Sequence, residues 1–267
     1  MTRGVAAWGV VLAFGCAAVG CASSGGGPEA SSLEDAIVQG SVPERAEVKV
    51  VLADAAFDPE TLGAKRDHRE VTFYDTKSLH LWKQGVLLRS RRAPGNDDDV
   101  TVKLRPMTPA KVPAVFRDLD GFKCELDVTA GGSGTSSCSL TRSADGGDIR
   151  AAGEAAREIP ALWSRDALDF ARTVVPAVPL DELRAFGPIA STVWSLDVRE
   201  LDEEVTFERW DVKGGARTLE ASVKVKTQNV ADKERELVAW LTSKGLARAT
   251  TQTTKTSAAL EALAATP

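Results

Sequence analysis

Residues 85–106, GVLLRSRRAPGNDDDVTVKLRP, place basic side chains at alternate positions on either side of a turn-like loop. Residues two apart on a β-strand point to the same face. Arg89 and Arg91 therefore project together, with Leu88 and Ser90 opposite them. On the second arm Thr101, Lys103 and Arg105 share a face, opposite Val100, Val102 and Leu104. Such a row is either the solvated side of an amphipathic hairpin or a wall that grips anions. Guanidinium forks match phosphate oxygens bidentately and ammonium groups add point charge, so the chemistry on offer is phosphate recognition. The loop aspartates Asp97, Asp98 and Asp99 read as its solvated tip.

The whole chain narrows the choice. Its 267 residues can bury a substantial core, and 43% hydrophobic with 27% charged residues is a globular composition. The net charge of −5 provides no global field for nucleic acid, so anion binding must be local. There are four cysteines and two histidines, with no CxxC and no motif around His68 or His80. That argues against zinc and against a histidine-dependent hydrolase.

Strands are expected in AEVKVVL, EVTFYDT, GVLLRSRR, VTVKLRP, GFKCELDV and SSCSLTR, and again in IASTVWSLDVRE, EEVTFERWDV and RTLEASVKVK. Between the two blocks, RDALDFARTVV and PLDELRAFG have helical spacing. ADKERELVAWLTSKGL carries Leu237, Trp240 and Leu241 on one stripe, and SAALEAL forms a last short helix. Several strands pair a clean apolar face with one bearing both signs of charge: Glu47 and Lys49; Lys123, Glu125 and Asp127; Glu220, Ser222, Lys224 and Lys226. Helices covering the apolar faces would turn these charges inward, into a barrel with a polar lumen. An open sheet with one wet side fits the same pattern. Trp194 and Trp210 read as outer-face core, and Trp82 as part of a helical turn packed on the sheet.

The N-terminus has Arg3, then an apolar stretch over residues 5–20 too short for a membrane span. It ends in Ala18-Val19-Gly20-Cys21, which resembles a bacterial lipobox, with Cys16 as a second candidate. Residues 1–20 are thus expected to be a lipoprotein signal peptide, Cys21 the lipidated residue and residues 21–33 a flexible tether. The folded domain is expected over 34–267. The resemblance implies an anchored protein of the cell envelope facing the periplasm, at the outer membrane where there is one. In an oxidising compartment Cys124 and Cys138, flanking a Gly/Ser turn, could close a hairpin by a disulfide or remain free thiols.

YDTKSLHLWKQGVLLRSRR followed by DVTVKLRP closely resembles the CYTH superfamily, the triphosphate tunnel metalloenzymes. Glu47-Val48-Lys49, FKCELDV, FGPI, LEASVKV and Lys255 follow in the family's order, over about residues 45–262. The resemblance implies an α+β fold: an antiparallel eight-stranded barrel or tunnel with a polar lumen and helices packed outside. It also implies a triphosphate or polyphosphate held by Lys49, Arg89, Arg91, Lys103, Arg105, Lys224 and Lys255, with Mg²⁺ or Mn²⁺ on Glu47, Glu125, Asp127 and Glu220. Arg45 and Ser222 stand where the pattern has further carboxylates. The function implied is a metal-dependent phosphohydrolase of inorganic tripolyphosphate or polyphosphate. The alternative is a polyanion-binding or scaffold lipoprotein without catalysis.

Overall fold

The computed structural model describes residues 33–265, apart from 96–97, 133 and 214–216. The lipidation candidates Cys21 and Cys16 and the proposed signal peptide lie outside these residues, as does nearly all of the proposed tether. In chain order the elements are α1 (Leu33–Val38), β1 (Arg45–Val51), β2 (Lys65–Asp75), α2 (His80–Lys83), β3 (Val86–Arg92), β4 (Asp99–Leu104), α3 (Ala114–Arg117), β5 (Phe122–Thr129) and β6 (Thr135–Ser143). Then come α4 (Gly146–Glu154), α5 (Arg165–Arg172), β7 (Arg184–Val198), β8 (Glu203–Asp211), β9 (Arg217–Lys226), α6 (Val230–Ser243) and α7 (Lys255–Ala264).

The strands close into one barrel in the order β1-β5-β6-β4-β3-β2-β7-β8-β9. Closure selects the barrel over the open sheet. The barrel has nine strands rather than eight, matching the nine alternating segments. It is mixed, because β1 runs parallel to β5 while every other neighbouring pair is antiparallel. The expected helix in PLDELRAFG is reduced to a 3₁₀ turn at Leu180–Glu182. Arg184 onward is strand because Arg184, Ala185 and Phe186 pair with Asp75, Tyr74 and Phe73 of β2, and tertiary pairing outweighs local spacing.

Helices cover the apolar strand faces. Leu88, Val102, Leu104 and Leu140 pack with Phe170 and Ala171 of α5 and with Ile159 and Trp163. On the opposite side Val48, Val50, Phe207, Leu219 and Val223 pack with Leu237, Trp240 and Leu241 of α6 and with Trp194. The i, i+3, i+4 spacing of the three α6 residues puts them on one stripe. Cys124 and Cys138, directly opposite on β5 and β6, are joined in a disulfide and belong to the α5 cluster. In a third cluster Val71, Phe73, Ile189 and Trp210 meet Ala259 and Leu260 of α7.

Because Leu237 has no solvent exposure at the centre of the α6 contact, Leu237→Ala should cost about 2–5 kcal/mol by deleting buried methyl groups and leaving a cavity. Denaturant unfolding measures this. A loss below about 1 kcal/mol would show that α6 does not seal the barrel wall.

Candidate functional site: a charged lumen

Two strand-edge features aim the site. Gly85 has φ +82°, and a Cβ there would lie 2.3 Å from the carbonyl oxygen of Arg105. Only glycine allows this approach, and the Arg105 amide donates to the Gly85 carbonyl at 2.8 Å. Asp75, 3% exposed, accepts from the amides of Thr76, Leu81 and Trp82 at 2.7–2.9 Å. It thereby holds α2 so that Trp82 stands over the lumen. Burial, outweighing those three amide bonds, raises the Asp75 pKa.

A cavity of about 200 Å³ is lined by Lys49, Lys103, Arg105 and Lys255, with Asp127, Glu220, Trp82 and Leu87 among its other walls. These four cations come from β1, β4, the residue after β4, and α7. Thr254 caps α7 by accepting from the Ser257 amide, which fixes Lys255 at the cavity.

The charges are extensively paired. Asp127 Oδ1 receives Lys49 Nζ at 2.7 Å, and its Oδ2 receives Lys103 Nζ and Ser137 Oγ, both at 2.9 Å. Arg105 Nε stands 4.0 Å away. Lys49 also meets Glu47 at 3.0 Å, and Ser222 donates to Glu47 at 3.1 Å. Lys255 Nζ lies 2.6 Å from Glu220 and 2.7 Å from Glu208, and 5.6 Å from the centre of the Trp210 ring. Farther along the lumen Arg91 makes an ion pair with Asp99 at 2.5 Å, while Arg89 stands 3.9 Å from the same carboxylate.

Protonation follows the pairing. Burial alone would depress Lys49 and Lys255, yet their carboxylate neighbours prevail and raise both above the ordinary lysine value. Burial alone would raise Asp127, but Lys49 and Lys103 hold it well below the carboxylate range. Glu208 is likewise pushed up by burial. It is nonetheless pulled down to about 2 by Lys255 and by hydrogen bonds from Lys255, Trp210 and Ser191. Lys103 and Arg89 behave differently. Burial lowers both, helped by Lys49 and Arg105 around Lys103 and by Arg91 and Arg69 around Arg89, and the facing aspartates do not compensate.

Of the expected anion contacts, Lys49, Lys103, Arg105 and Lys255 meet at one cavity. Arg89 and Arg91 line the lumen near Asp99. Lys224 is exposed near the end of β9 and does not line the cavity. Asp99 is 6% exposed and paired, so it is part of the lumen rather than the solvated loop. Trp210 is lumen-facing rather than outer core, since its indole donates to Glu208 at 2.7 Å. Of the expected metal ligands, Asp127 and Glu220 line the same cavity and Glu47 shares Lys49 with Asp127. Glu125 pairs with Lys123 at 3.0 Å, and Glu47, Asp127 and Glu220 each hold a lysine. Among the described residues no three His, Cys, Asp or Glu side chains form a metal-ligating group.

Three lumen residues escaped the sequence reading. Glu208 and Trp210 occupy alternate positions of EVTFERW, and Glu208 lies directly across from Glu220. Arg69 sits opposite Ser191, which donates to Glu208. For Glu208 and Trp210 the signal was the same period-two alternation, whereas Arg69 lies just before the strand expected in EVTFYDT.

No family model matches the chain, and neither does any curated protein. Solved structures do share its fold. HpAC1 from Hippeastrum, a proposed adenylyl cyclase with a dominant triphosphatase activity, superposes with a TM-score of 0.58 at 14% identity, covering 81% of this chain and 95% of that one. A proposed adenylate cyclase of Bacillus halodurans gives 0.53 at 13% identity, covering 80% and 98%. At such identities the likeness is one of fold, and the closed barrel with helices outside is the tunnel fold of these proteins.

The depressed Glu208 pKa has a definite sign. Stability from its pairing is present above its ordinary value of 4.5 and is lost as the pH falls through about 2. Melting temperature should therefore drop between those values, and Glu208→Gln should flatten that part of the curve. Parallel curves for the two proteins would remove Glu208 from the account of acid sensitivity.

Proposed function

We propose that this is an exported, lipid-anchored domain whose tunnel captures an inorganic tri- or polyphosphate at the cell envelope. The observation that carries the reading is the convergence of Lys49, Lys103, Arg105 and Lys255 on one cavity, where Lys49, Lys103 and Arg105 all face the single carboxylate of Asp127. An oligophosphate is a linear array of anionic oxygens and suits cations contributed from several walls. Binding would relieve the repulsion among Lys103, Lys49 and Arg105. The partly apolar rim at Trp82 and Leu87 lowers the local dielectric and strengthens those contacts. Export rests on the lipobox-like N-terminus, and it favours polyphosphate-like anions over cytosolic nucleotides.

A second reading, a phosphohydrolase, is favoured by the fold shared with HpAC1 and its triphosphatase activity. The charge network supports capture better than turnover. A general base works best with a pKa near the ambient pH, whereas Asp127 and Glu208 are held far below it by their lysines.

Calorimetry with tripolyphosphate on the full chain in detergent tests capture, with phosphate release followed in parallel. We expect binding without appreciable release, and about 10- to 100-fold weaker affinity for Lys103→Ala, the range of one charge-assisted contact. Affinity should also decline with rising pH before an ordinary lysine begins to lose its proton. Steady release that disappears in Lys103→Ala would replace the binder with a hydrolase. Absence of binding would end the oligophosphate reading.

A further inference from the structure

The resemblance to tunnel metalloenzymes leads one to expect a divalent cation among the lumen carboxylates, and the donor set does not fit one. Lys255 Nζ sits between Glu208 and Glu220 at 2.7 and 2.6 Å, where these neighbouring carboxylates could otherwise share an ion. Glu208 further accepts from Trp210 Nε1 and Ser191 Oγ, at 2.7 and 2.8 Å on a single oxygen. Lys49 stands in the same relation to Glu47 and Asp127, at 3.0 and 2.7 Å. Each pair already has its cation, supplied by the chain. A dication entering either pair would meet an ammonium group in direct contact with its prospective ligands. Two positions that could have added carboxylates carry Arg45 and Ser222 instead, and Ser222 is a hydrogen-bond donor to Glu47.

We propose that Lys255 and Lys49 are resident counter-cations, and that the tunnel takes up its oligophosphate without a divalent ion. Lys255, delivered by the capped start of α7, fills the position a metal would otherwise take between Glu208 and Glu220. The part concerning oligophosphate rests on the function proposed above. The part concerning the carboxylates rests on geometry alone. Removing the Lys255 ammonium while keeping the side-chain volume leaves two like charges side by side, Glu220 buried and Glu208 partly so. Such a pair takes up a proton or a cation, so Lys255→Met should turn a metal-indifferent lumen into a metal-binding one.

The test uses the full chain in detergent as wild type, Lys255→Met, Glu220→Gln and the double variant. Mn²⁺ alone is titrated with detection by electron paramagnetic resonance and by melting temperature. Tripolyphosphate binding is measured in EDTA and with Mg²⁺. We expect wild type to bind tripolyphosphate in EDTA, with Mn²⁺ uptake no different from that of Glu220→Gln. Lys255→Met should bind Mn²⁺ at least about tenfold more tightly and melt higher with it, a gain abolished in the double variant.

Tripolyphosphate binding that requires Mg²⁺ would overturn metal-free capture while leaving oligophosphate recognition standing. No binding under either condition would end that recognition, and the Mn²⁺ titrations would still decide the role of Lys255. Equal uptake by wild type and Lys255→Met would overturn it. If Lys255→Met fails to fold with or without Mn²⁺, wild type against Glu220→Gln decides: uptake lost with Glu220 overturns the proposal, and unchanged uptake supports it.

Discussion

Charge placed inside a barrel must be neutralised there, and this constraint organises the rest of the structure. Asp127, 2% exposed, is the clearest case. Its two oxygens hold Lys49 of β1 and Lys103 of β4, with Ser137 of β6 as a further donor. One carboxylate thus ties together three strands besides its own. Removing one partner of a buried pair typically costs about 3–5 kcal/mol because the other charge is stranded. The lumen charges therefore limit which registers the barrel can adopt. A one-residue slip of β5 would turn Asp127 outward and put Leu126 in its place.

The outer elements serve this interior. α5 and α6 cover the apolar faces and leave the charged faces no direction but inward. Gly85 permits the close approach that seats Arg105 at the cavity, and Asp75 anchors the turn that brings Trp82 above it. α7 meets the barrel through Ala259 and Leu260 and carries Lys255 between two glutamates. Packing and site are coupled at that helix, since the apolar contact that docks it also sets the reach of the lysine.

Much of this was legible in the chain, because a strand's two faces are written at every second residue. Glu47 with Lys49, Glu125 with Asp127, and Arg89 with Arg91 could each be read as sharing a face without any structure. Closure was not legible, because an open sheet shows the same alternation. Nor was pairing, which depends on register and stagger between distant strands. Arg91 reads as part of an anion-binding wall, yet it is matched by Asp99, which reads as loop tip but begins β4. Glu208 and Trp210 alternate as clearly as Glu220 and Ser222. Their inward face emerges only when β8 is seen beside β9. In PLDELRAFG the helical spacing was real, and pairing with β2 overrode it.

The lumen cations divide into two kinds, and the division carries the functional argument. Lys49 and Lys255 are raised by their carboxylates, so their charge is committed to holding the barrel together. Lys103 and Arg89 are lowered, chiefly by burial, which the carboxylates facing them only partly offset. An entering anion would compete with glutamate and aspartate oxygens for the first pair. It would add negative charge where Lys49, Lys103 and Arg105 share the one carboxylate of Asp127. The same logic disfavours an entering dication, which would meet carboxylates already satisfied and ammonium groups already in place. A tunnel charged in this way selects for anions by what its own carboxylates leave over.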